Sequence, residues 1–200
     1  MADPHHNARL EAFCDAVFAI ALTLLIIDIK VPASEGIGTT HDLWRALGHI
    51  GPPIFAFVLS FAVIFITWVN HHRFVRLVNK SSGSFIYANG LLLLTVVFLP
   101  FPTALVGEYL ATDHAAPAVV IYNAVTAVQA IGWILVSGAA LRLARDERAV
   151  ALIRDTHRTG YFALVVYLLL AVLALWFPLA IAVVTTMLWA YWLTFSLRAE

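Results

Sequence analysis

Arg9-Leu-Glu-Ala-Phe13-Cys14-Asp15-Ala-Val-Phe-Ala-Ile20-Ala-Leu-Thr23-Leu24-Leu-Ile-Ile27-Asp28 is the stretch whose reading decides the fold. Between Asp15 and Asp28 it carries no formal charge. A bilayer-spanning helix needs about 20 mainly apolar residues, because each rises roughly 1.5 Å across about 30 Å of hydrocarbon. This run meets that requirement and stops near Lys30 and Pro32. The residues before it, Met1 to Asn7, are polar, and Arg9, Glu11 and Asp15 flank its start. That is not the pattern of a cleaved signal, so the first helix is expected to remain in the mature protein.

The rest of the chain repeats the theme. Of 200 residues, 62% are hydrophobic and only 12% are charged, and the mean hydropathy is +0.89. A soluble domain carries roughly 45–50% apolar and about 25% charged residues. The expected fold is therefore an all-α integral membrane protein of six transmembrane helices, roughly 12–30, 50–71, 84–107, 117–142, 159–177 and 179–197, forming one domain over 1–200. The last two are split from an uncharged run, Tyr161 to Leu197, at Trp176-Phe177-Pro178, where an interfacial Trp meets a helix-starting Pro. Pro100 and Pro102 predict a kink or an end in the third helix. A short helix is expected at His41 to Leu47, and Arg142 to Gly160 reads as a charged extension of helices four and five.

Orientation follows from the cations. With six spans, every Lys and Arg except Lys30 and Arg45 falls on the side of the N-terminus, the 2–3 loop, the 4–5 loop and the C-terminus. Both termini are therefore expected in the cytoplasm, with the chain in the cell's inner (plasma) membrane. The opposite side carries Asp28, Glu35, Asp42, Glu108 and Asp113. Such a mouth gathers cations, or the acids are simply those that translocation tolerates. A formal net charge of zero points away from nucleic acid. Cys14, the lone cysteine, has no partner for an internal disulfide. No paired nucleophile and base and no glycine phosphate motif are evident, which argues against an enzyme.

Three places carry polar groups at membrane depth. Asp15 lies about one turn inside the first span, where a carboxylate costs several kcal/mol unless paired or hydrated. Phe13, Ala16, Ile20, Thr23, Leu24 and Ile27 share one face of that helix, with Leu22 and Ile26 pointing away. Such a face suits close helix packing or the lining of a narrow pore, and Thr23 also has its own helix to bond to. The second place is Thr67-Trp68-Val69-Asn70-His71-His72-Arg73. The adjacent histidines point to different faces, poor geometry for one metal, and one of them is expected to bond near Asp15. The third is Phe98-Leu-Pro-Phe-Pro-Thr-Ala-Leu-Val-Gly-Glu-Tyr109.

Together these strings resemble the bacterial branch of the lysosomal (endolysosomal) transmembrane potassium channel family. The likeness covers helices one to three. It departs at Cys14, where the family motif usually has serine, and a thiol is a weaker hydrogen-bond partner. The resemblance implies a potassium-selective channel without a carbonyl filter. It also implies a homotetramer around a pore lined by the first helix, with K+ as permeant ion and no cofactor. It maps the hydrophobic constriction onto Ile20, Leu24 and Ile27, and a polar layer onto Thr23. Arg9, Phe13, Asp15, Trp68, Asn70, His71 and His72 then form a structural motif network. The alternative is a small proton- or cation-coupled transporter using Asp15 and His71 as a relay.

Overall fold

Long apolar runs punctuated by caps and prolines set the helix ends. The computed structural model describes residues 7–198. α1 (Ala8–Leu24) tightens into a 3-10 turn at Leu25–Asp28, and a second 3-10 turn lies at Ser34–Gly36. α2 (Thr40–His49) opens on a capping box in which Thr39 and Asp42 bond reciprocally. α3 (Gly51–Val75) starts on Pro52 and Pro53, whose missing N–H groups cost nothing in a first turn. α4 (Gly83–Phe98) is capped by Ser82, and α5 (Pro100–Tyr109) follows after Leu99. α6 (Ala115–Ala140), α7 (Glu147–Leu173) and α8 (Pro178–Arg198) complete the order. Asp146 caps α7 through the Ala149 N–H, a bond that holds its carboxyl below the ordinary aspartate value.

All described structure is helical, and no strand forms among the described residues. A single antiparallel bridge, Val78 to Ala144, ties the α3–α4 turn to the α6–α7 turn. Among the described residues, five stretches are long and apolar enough to cross a bilayer: Ala8–Asp28, Gly51–Val75, Gly83–Tyr109, Ala115–Ala140 and Glu147–Leu173. Pro178–Thr194 is a shorter apolar helix. The chain is thus a multi-pass helical membrane protein.

Several boundaries move from expectation. The first helix begins at Ala8 rather than 12, and its α-helical part ends at Leu24 rather than 30. The fifth begins at Glu147 rather than 159, and the Asp146 cap makes much of the stretch Arg142 to Gly160 the charged extension that was expected. As expected, Pro100 breaks the third span at Leu99, and the chain resumes as α5 to Tyr109.

α6 is the central post, packing on α4, α5, α7 and α8. Glycines permit the closest approaches. A Cβ on Gly132 would lie 3.0 Å from the Leu92 Cα, and one on Gly107 would lie 3.0 Å from the Pro53 Cα. Without water to compete, buried polar groups pair across helices. The Ser60 and Tyr122 hydroxyls lie 3.1 Å apart, Thr103 donates to Ser60 at 2.6 Å, and Thr185 donates to the Asn123 side-chain oxygen at 3.0 Å. These bonds pin α3, α5, α6 and α8 together. They fix a frame against which α1 lies along α3 and α4.

Candidate functional site: the free face of α1

α1 has two opposed faces. Cys14, Phe18, Ala21 and Leu25 are fully buried in the subunit core. On the other side, Phe13, Ala16, Thr23 and the large residues Ile20 (58% exposed), Leu24 (39%) and Ile27 (68%) face away from the subunit. The residues expected to share a face do so. Leu22 packs partly into the core, as expected. Ile26 is exposed as well. It lies in the 3-10 turn at Leu25–Asp28, which advances each residue about 120° instead of 100°.

Thr23 Oγ1 donates to the Ile20 carbonyl at 2.8 Å. The proton is thereby used within the helix, and the oxygen's remaining lone pair stays on the exposed face. Beyond the 3-10 turn, Asp28, Lys30 and Glu108 border a cavity of about 310 Å³.

The network at the other end of α1 differs in its partners from the expectation. Asp15 is paired with neither histidine; it accepts from Trp68 Nε1 at 2.8 Å. His72 sits 3.0 Å from Glu11 through Nδ1, and its Nε2 lies 2.7 Å from the Arg76 guanidinium. Arg76 has only protons to give, so Nε2 accepts, while Nδ1 lies close to Glu11 without forming a hydrogen bond. The Trp68 and His72 rings stack at 5.8 Å. His71 is fully buried and bonds Asn89 Oδ1 at 2.7 Å. Asn89 Nδ2 donates to the Phe85 carbonyl, so its oxygen accepts from His71 Nε2–H. The two polar sets clamp α1 to α3, and α3 to α4.

Glu11, Asp15 and His72 offer ligand atoms within 4.8 Å of one another, while Asp15 accepts from Trp68 and His72 Nε2 from Arg76. Arg9 is exposed and makes no hydrogen bond or ion pair among the described residues, so it does not join Asp15. Asn70 is exposed on the far side of α3, where it borders a cavity rather than α1. Sequence reasoning missed the Trp68 bond, although Trp68 and His72, four residues apart, lie on one helix face.

A profile of the endosomal/lysosomal potassium channel TMEM175 family matches residues 9–100. A potassium channel of Chamaesiphon minutus is 38% identical over 190 residues, 92% of this chain and 93% of that protein. A potassium channel of Streptomyces collinus is 44% identical over 130 residues, 64% of this chain and 62% of that protein. The crystal structure of a lysosomal potassium-selective TMEM175 homologue from Chamaesiphon minutus superposes with a TM-score of 0.83 at 35% identity, covering 95% of this chain and 97% of that one. The fold and the α1 motif thus define a helical membrane channel subunit rather than an enzyme. This chain belongs to the TMEM175 potassium channel family.

Proposed function

We propose that the chain is a potassium-selective channel, a homotetramer whose four α1 helices enclose the conducting path. In this arrangement six spans cross the plasma membrane, α4 and α5 together forming the third. Both termini are cytoplasmic, a reading that the distribution of Lys and Arg supports. The observation that carries this reading is the free face of α1. One subunit offers only one such face, too little to enclose a path, and a cyclic assembly repeats it around an axis.

Ile20 and Leu24 are one turn apart, roughly 6 Å along the axis, and Ile27 lies beyond them toward the acidic mouth. Four large aliphatic side chains at each level exclude a hydrated ion, so passage needs dilation of the ring or partial dehydration. Potassium sheds water more readily than sodium, which favours it without a carbonyl cage. The Thr23 oxygen, its proton held by Ile20, offsets part of that loss beside the ring. Phe13 continues the same face toward the cytoplasm. Asp15, Trp68, His71 and His72 hold α1 at its angle and are positioning residues. A relay between Asp15 and His71 is not supported, since each is bonded elsewhere.

Native mass measurement of the purified protein together with reversal potential in reconstituted liposomes tests this reading. A fourfold mass and a reversal potential near the potassium equilibrium value are expected. A monomer, or a saturable flux without ohmic current, overturns it.

A further inference from the structure

A cavity of about 330 Å³ lies between α3, α6, α7 and α8, away from α1. Its rim holds Arg73 and Asp155, on the arginine-rich side assigned above to the cytoplasm, and it deepens toward Trp189. The wall is aromatic: Trp133, Tyr167 and Trp192 line it, while Gly160 and Ala163 leave room. The hydroxyls of Thr67, Thr126 and Thr156 all donate to carbonyls of their own helices.

Three groups on this cavity differ from those hydroxyls. Gln129 Nε2, the Tyr167 hydroxyl and Trp189 Nε1 have no hydrogen-bond partner among the described residues, though Gln129 and Tyr167 are 3% exposed and Trp189 8%. A buried donor left unmade costs about 1–3 kcal/mol, and in hydrocarbon no solvent relieves it. Gln129 Nε2 and Trp189 Nε1 can only give protons, and the Tyr167 hydroxyl has one to give, so the missing partner must accept. An aromatic wall at membrane depth suits an apolar body, and a volume of this order suits a small ligand or part of a lipid.

We infer that this cavity binds a lipid-soluble molecule from the cytoplasmic leaflet through carbonyl oxygens that accept from Gln129 and Trp189. A glycerolipid ester and a quinone ring share that chemistry. The occupant lies against Thr67 and Asn70 of α3, the helix whose Trp68 holds Asp15 of α1. It is therefore placed to influence the helix that positions the pore.

Native mass spectrometry of the delipidated full-length protein tests this, with palmitoyl-oleoyl phosphatidylethanolamine and decylubiquinone as separate probes. Gln129→Leu removes one unmet donor, and Ala163→Phe fills the space. Val183→Phe, on an exposed part of α8, is the control. One adduct per subunit is expected with at least one probe. It should be about tenfold weaker in Gln129→Leu, the loss of one hydrogen bond to a buried donor, and weaker again in Ala163→Phe. Retention of the phospholipid alone assigns an ester, and of the quinone alone a ring carbonyl. Gln129→Leu relieves an unmet donor, so its result stands even where Ala163→Phe does not fold. No adduct with either probe, or adducts as strong in Gln129→Leu as in Val183→Phe, overturns the inference.

Discussion

α1 and α7 are equally bare of their own subunit, with 22% of each apolar window buried, against 56% for α6. Their bare faces are chemically different. α7 exposes Tyr161, Phe162, Val165, Leu168, Leu169 and Val172, bulky groups throughout. α1 exposes Ala12, Ala16, Ala19 and Thr23 at spacings of three and four, beside Ile20 and Leu24. Lipid chains fill any shape and gain nothing from small residues. A facing helix does, because small residues let backbones approach and gain van der Waals contact. On the proposed assembly, low burial on α7 corresponds to contact with lipid, and the same figure on α1 to contact with other copies of the chain.

The contrast breaks most visibly under bulk. Ala16→Trp places an indole where the proposed assembly brings α1 helices together, and overpacking of a tight contact costs about 1–3 kcal/mol per site, repeated at each subunit. Loss of the tetramer by native mass measurement is expected, whereas Leu169→Trp on α7 leaves it intact. Equal disruption by both would mean that α1 is a lipid-facing helix.

The clamp on α1 is next in size. Trp68→Phe keeps the ring that stacks on His72 and removes the indole N–H, leaving the half-buried Asp15 carboxylate without its donor. A hydrogen bond to a charged group is worth about 1.5–3 kcal/mol. Reduced thermal stability of the assembled protein is expected, read by fluorescence-detected size exclusion after heating. Unchanged stability together with altered selectivity would place Asp15 in the permeation path instead.

The smallest effect belongs to the frame. Gly132→Ala presses a methyl against the Leu92 backbone, with an expected loss of about 1–3 kcal/mol, while Gly90→Ala meets open space and gains roughly 1 kcal/mol of helix propensity. Thermal melting of the two variants in detergent should diverge in opposite directions. If Gly132→Ala were neutral, the α4–α6 contact would be looser than its geometry implies.

Much of the fold was legible because lipid imposes a simple rule on composition. Charge-free runs between Asp15 and Asp28, or after Tyr161, leave few alternatives to spanning helices. The α1 face was legible from spacing alone, since positions 13, 16, 20, 23, 24 and 27 obey the helical repeat. The 3-10 turn was not, because Leu-Ile-Ile-Asp carries no signal that distinguishes it from α-helix. Asp146 followed by Glu147 was a readable helix start that hydropathy obscured. The partner of Asp15 depended on the rotation of α3 about its axis, which a single sequence does not encode. Gln129 and Trp189 went unnoticed because an unmet donor is visible only once its surroundings are known.

The lining of the pore is tested most directly by reversal potentials under opposed potassium and sodium gradients, in liposomes containing the wild type, Leu24→Ala or Leu168→Ala. A path enclosed by α1 predicts a wild-type value near the potassium equilibrium potential, a shift toward zero with larger conductance for Leu24→Ala, and no change for Leu168→Ala. A Leu24→Ala channel as selective as the wild type, or an equal shift for Leu168→Ala, would contradict it.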